Sequence, residues 1–95
     1  MAQTIIFQAK GGINEKSTVS ITLFDRANNN APYMVEVNIY SYDKKQKEYL
    51  LCDTSMRYYY DYAEALEYYI RTLQLKIVYG YSIRQFQVKP VATDL

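Results

Sequence analysis

Apolar and polar residues alternate along the first part of the chain as far as Tyr58, and then change to a spacing of three and four. Alternation is the signature of a strand with one wet face, because successive side chains point to opposite sides of a sheet. Thr4 to Lys10 is the first such stretch, with Ile5, Phe7 and Ala9 on one side and Ile6 and Gln8 on the other, broken by Gly11 and Gly12. Ser17 to Arg26 alternates most cleanly: Val19, Ile21 and Leu23 point inward, and Thr18, Ser20, Thr22 and Phe24 outward. Asn28, Asn29, Asn30, Ala31 and Pro32 make a turn, since asparagine tolerates left-handed geometry and proline cannot donate to a ladder. Tyr33 to Tyr42 directs Val35, Val37 and Ile39 to the core and Glu36, Asn38, Tyr40 and Tyr42 away from it. Asp43 to Lys47 is a charged loop of hairpin length. In the fourth strand, Glu48 to Tyr58, Leu50, Cys52, Thr54 and Met56 share the inner face, and Tyr49, Leu51, Asp53, Ser55 and Arg57 the outer one.

The stretch from Arg57 to Tyr81 holds the helix. Leu66, Tyr69, Ile70, Leu73 and Ile77, with Tyr62 one turn earlier, recur on one helical stripe. Asp61 is an N-cap whose carboxylate can accept from first-turn amides, and Glu64 stands in the capping-box position, so the helix starts near Tyr62. Acids Asp61, Glu64 and Glu67 precede the bases Arg71 and Lys76, which suits the helix dipole, and Glu67 to Arg71 is a favourable i,i+4 pair. Leu75 to Tyr79 alternates as well and its β-branched residues suit a strand, which leaves two endings open: near Leu73, or at Gly80 through a left-handed cap. Ser82 to Val88 reads as a fifth strand closed by Pro90, and residues 91–95 as a flexible tail.

Short connections imply an antiparallel four-stranded meander, and the apolar stripe of the helix needs that sheet as its partner. The expected fold is a single α+β domain over residues 1–90, in the order ββββα(β), with one sheet face covered by the helix and the optional fifth strand C-terminal. The same element order is similar to that of single-stranded DNA-binding cofactors of the transcription-coactivator and Whirly kinds, a likeness of fold order that involves no shared motif.

Composition narrows the chemistry. The chain has 95 residues, enough for one core, with 49% hydrophobic and 22% charged residues, the profile of an ordinary folded domain. Eleven basic residues against ten acidic ones create no global field for nucleic acid or an anionic membrane. No basic leader or membrane-length apolar run stands in the sequence, and the single cysteine forms no internal disulfide, so a cytoplasmic protein is expected.

There is no histidine, which removes the commonest general base and metal ligand near neutral pH. Cys52 lacks a base to activate it and is expected to be a small apolar residue on the inner face of the fourth strand. Asp53, Asp61, Glu64 and Glu67 could meet at the strand-to-helix corner as an acid-base pair or a cation site, but each already has a structural role as cap or solvated helix surface. Gly11 and Gly12 lack the spacing and lysine of a phosphate loop. No enzyme activity, cofactor or metal is expected.

Twelve tyrosines without a tryptophan are the anomaly, because tyrosine couples a large rigid apolar face to a polar tip and so suits a soluble interface. Tyr62 and Tyr69 belong to the packed stripe and Tyr58 to the strand end, so all three are expected in the core. Phe24, Tyr40, Tyr42 and Tyr49, with Tyr68 and Tyr79 on the second helix face, are the candidate protein-binding residues, the partner being another protein or a second copy as a homodimer. The alternative is single-stranded nucleic acid, its bases stacked on the outward aromatics and its phosphates held by Lys44, Lys45, Lys47 and Arg57. No membrane partner is expected.

Overall fold

In the computed structural model of the chain, residues 3–13, 15–27, 30–75, 77–78, 81–82 and 85–90 are described, with side chains as far as residue 74. Four strands run antiparallel in chain order: β1 (Thr4–Gly12), β2 (Ser17–Asp25), β3 (Tyr33–Asp43) and β4 (Glu48–Tyr59). One helix, α1 (Tyr62–Leu75), follows. Two short strands, β5 (Ile77–Val78) and β6 (Tyr81–Ser82), pair with each other, and β7 (Gln85–Pro90) returns antiparallel to β1. The main sheet therefore has the order β4-β3-β2-β1-β7, with β4 at one edge. This is the expected α+β order. The added strand begins and ends later than Ser82 to Val88. The helix stops at Leu75 and gives way to strand at Ile77, ahead of Gly80, which lies outside the described residues, as does the expected tail at 91–95.

Alternation in β2 and β3 explains the core. Val19, Ile21 and Leu23 stand beside Val35, Val37 and Ile39 on one face, joined by Ala9 of β1 and by Ala65 and Tyr69 of α1. Burying each of the larger aliphatic side chains contributes about 1.5–3 kcal/mol. Asp61 caps the helix as its position implies: its carboxylate accepts from the Ala63 amide at 3.2 Å, and its carbonyl accepts the first helical bond from Ala65 at 3.2 Å. Glu67 and Arg71 form the expected ion pair at 2.9 Å, exposed on the surface.

The stripe that faces the sheet is rotated from the expected one. Ala65, Tyr69 and Thr72 are buried, with Leu66, Tyr68 and Leu73 partly buried, whereas Ile70 is 42% and Tyr62 37% exposed. Hydrophobicity alone points to Ile70. Ala65 instead lets the helix lie close to the strands, and Thr72 satisfies its hydroxyl by donating to the Tyr68 carbonyl at 2.8 Å, so a polar residue can be buried there.

Two bulges alter which residues share a face. In β1 the register shifts between Ile5 and Phe7, so Ile5 stands opposite Phe24 while Ile6 packs on the core beside Phe7. In β4 the register shifts between the partners of Ile39 and Tyr40: Ile39 is opposite Asp53, Tyr40 is opposite Leu51, and Cys52 is the extra residue. Each bulge moves every later side chain to the other face relative to simple alternation.

Candidate protein-binding surface

The face of the sheet turned away from α1 is not a uniform aromatic platform. At one end Phe24 pairs with Met34 and Met34 with Tyr58, and the Arg26 guanidinium lies 4.7 Å over the Tyr58 ring. At the other end Tyr40 stands opposite Leu51 and Tyr42 opposite Tyr49, whose rings meet edge to face at 5.3 Å. Between them run two polar rows, Gln8, Thr22 and Glu36, then Lys10, Ser20, Asn38 and Thr54. Gln8 donates to Thr22 at 3.1 Å and Thr54 donates to Asn38 at 2.6 Å, so these side chains are already partnered. Ser20 and Thr22 are both buried.

Exposed apolar surface collects on β4 instead. Tyr49 is 48%, Leu51 55%, Met56 46% and Tyr58 50% exposed, Leu50 is exposed on the other face, and no residue of this strand is fully buried. The bulge at Cys52 is the reason for the mixture. Asp53, Ser55 and Arg57 stand opposite Ile39, Val37 and Val35 on the helix side, whereas Thr54 and Met56 face outward, the reverse of the simple alternating pattern. Cys52 is a further correction: it is exposed at the bulge, its thiol 3.6 Å from the Leu50 carbonyl oxygen, and not a core residue.

The candidate interface residues are thus only partly brought together. Tyr40, Tyr42 and Tyr49 form one cluster, and Phe24 stands at the far end of the same face. Tyr68 is placed differently from the expected outward helix face: it is partly buried, 6.1 Å from Tyr59, with the Arg57 guanidinium 4.7 Å over its ring. Tyr79 lies outside the described residues. Lys44, Lys45 and Lys47 sit on the β3–β4 turn, where the Asp43 carboxylate accepts from the Lys45 amide at 2.9 Å. Arg57 lies on the helix side of β4, ten residues beyond Lys47 and so roughly 30 Å away along the extended strand.

The tyrosines divide by role. Tyr33 meets Tyr62 at 5.4 Å, Tyr59 meets Tyr68, and Tyr69 stacks on Phe7 at 6.0 Å, so five of the twelve clasp the helix to the sheet. The Tyr69 hydroxyl is buried without a hydrogen-bond partner among the described residues, and burial pushes its pKa up to about 12. Leu50, Leu51 and Met56 are exposed apolar residues beside the tyrosines that the aromatic pattern does not single out; the consecutive Leu50 and Leu51 are the sequence signal of a broken alternation.

Among the described residues no group of three or more acidic or cysteine side chains is placed to hold a metal ion, and no helix is long and apolar enough to cross a membrane. An open concavity of about 470 Å³ on α1 is lined by Ala63, Leu66, Glu67, Ile70, Arg71 and Gln74, a single helix face without converging polar groups. Comparison with protein-family models, curated proteins and solved structures gives no match to this chain.

Proposed function

We propose that the chain is a small non-catalytic binding module that associates with another polypeptide through β4 and the adjoining Tyr40 and Tyr42 of β3. The observation that carries this reading is the edge strand itself: twelve residues long, never fully buried, and bearing Tyr49, Leu50, Leu51, Met56 and Tyr58 at the surface. On its outer face Tyr49 and Leu51 stand at one end and Met56 and Tyr58 at the other, with Thr54 between them, while Leu50 is exposed on the helix side; exposed aromatic and aliphatic anchors set among polar residues are the composition of an interface. A second copy of the chain is the first partner to test. Sedimentation velocity over a concentration series is expected to show self-association that Leu51→Ser with Tyr58→Ser weakens about tenfold or more. Unchanged association in that variant, with an unchanged circular dichroism melt, overturns the assignment.

Single-stranded nucleic acid is the second reading, favoured by Lys44, Lys45 and Lys47 on the turn next to the Tyr42–Tyr49 pair. It predicts saturable anisotropy of labelled single-stranded DNA or RNA with a steep salt slope, flattened by alanine at the three lysines. The polar rows across the middle of the sheet separate that end from Phe24 and Tyr58 at the other.

A further inference from the structure

Resting on the protein-binding reading above, we infer that β4 pairs antiparallel with β4 of a second copy, about a two-fold axis at Ser55, to make one continuous sheet. No described strand lies on the far side of β4, so its outward amide and carbonyl groups form an open ladder. Natural edges are blunted by inward charges and bulges, and β4 carries both: Asp53 and Arg57 on the helix side, and the bulge at Cys52. These features block pairing with an arbitrary strand. In one self-pairing register they become complementary.

With Ser55 opposite its own copy, Asp53 stands opposite the copy's Arg57 on the same face, and the symmetry makes this contact twice. Thr54 meets Met56 on the outer face. The bulge then places Leu51 and Cys52 together against Tyr58, after which Leu50 faces Tyr59 and Tyr49 faces Tyr60, apolar or aromatic against aromatic throughout. Tyr60, just past the end of β4, is 74% exposed and gains a partner in this arrangement. Moving the axis to Asp53 or to Arg57 would set like charges opposite each other, and moving it to Thr54 or Met56 would separate Asp53 from Arg57. The face match is maintained on both sides of the bulge because the extra residue in each copy restores the phase that alternation loses. Arg57 can keep its stacking on Tyr68, since a guanidinium stacks by its plane and donates by its edge. In this register the two Cys52 residues are staggered by six strand positions, about 20 Å, and cannot form a disulfide.

The test uses the full chain with Cys52→Ser as background. Ser55→Cys on that background is expected to form a disulfide-linked dimer under mild oxidation, while Lys45→Cys at the turn does not. Asp53→Arg alone and Arg57→Asp alone should each weaken the dimer about tenfold or more, and the two together should restore it to within about threefold. A dimer that survives with no Ser55 cross-link and no charge-swap rescue overturns this register while leaving the protein-binding reading in place. A chain that stays monomeric at every concentration and binds single-stranded DNA overturns both.

Discussion

Strands β3 and β4 are neighbours of nearly equal length, eleven residues facing twelve, yet one lies in the core and the other on the surface. Val35, Val37 and Ile39 are almost inaccessible; directly opposite them on the same face stand Arg57, Ser55 and Asp53. The helix accounts for the difference, because its buried residues Ala65, Tyr69 and Thr72 cover the middle strands and the strip beyond is left to water or to a partner. On the helix side, therefore, the positions beneath the helix are apolar and those directly beyond it are polar or charged. The apolar residues of β4, turned away from the helix, are available for association.

The largest effect should come from cutting into the covered side. Ile21→Ala removes a fully buried side chain and is expected to lower stability by about 2–5 kcal/mol by denaturant titration. Next is the pH dependence of the helix-to-sheet contact. Burial holds the Tyr69 hydroxyl at about 12 against an ordinary 10, so the neutral form is favoured in the fold. That advantage is whole below pH 10 and is lost as pH rises through 12, by something of order 2–3 kcal/mol; Tyr69→Phe should flatten this part of the profile relative to wild type. At neutral pH the same substitution should be neutral or slightly stabilising, since it deletes an unpartnered hydroxyl.

Asp61→Ala removes the cap that starts the helix and should lower the melting point by the equivalent of about 1 kcal/mol. In the β2–β3 loop, Ala31 has φ 48°, a conformation in which a side chain is strained, so Ala31→Gly should raise stability by about 0.5–1 kcal/mol in the same assay. The smallest effect on stability is expected on the exposed strand. Leu51→Ser should change the unfolding midpoint by less than about 0.5 kcal/mol while weakening self-association. A large loss of monomer stability in Leu51→Ser would break the contrast between the two strands.

Much of this fold is legible in particular residues. The clean alternation of Val19, Ile21 and Leu23 with Thr18, Ser20 and Thr22 identifies β2 and its inward face, and Asp61 marks the helix start within a residue. The candidate surface is less so. Phase is read locally, and a bulge changes it without a reliable marker: the face of Met56, the exposure of Cys52 and the burial of Ile6 all follow from two extra residues that only strand pairing reveals. Tyr68 and Ile70 exchange places for a related reason, because the helix docks by the fit of Ala65 against the strands, which hydrophobicity does not encode.

Local patterning, short connections and capping chemistry determine that four strands precede one helix, since each depends on neighbours a few residues apart. Which strand becomes the open edge, which tyrosines clasp the helix and which remain at the surface depend on contacts between residues far apart in the chain. Those are decided only when the helix settles over β2 and β3, because burial is a property of the layer above a residue and not of the residue itself.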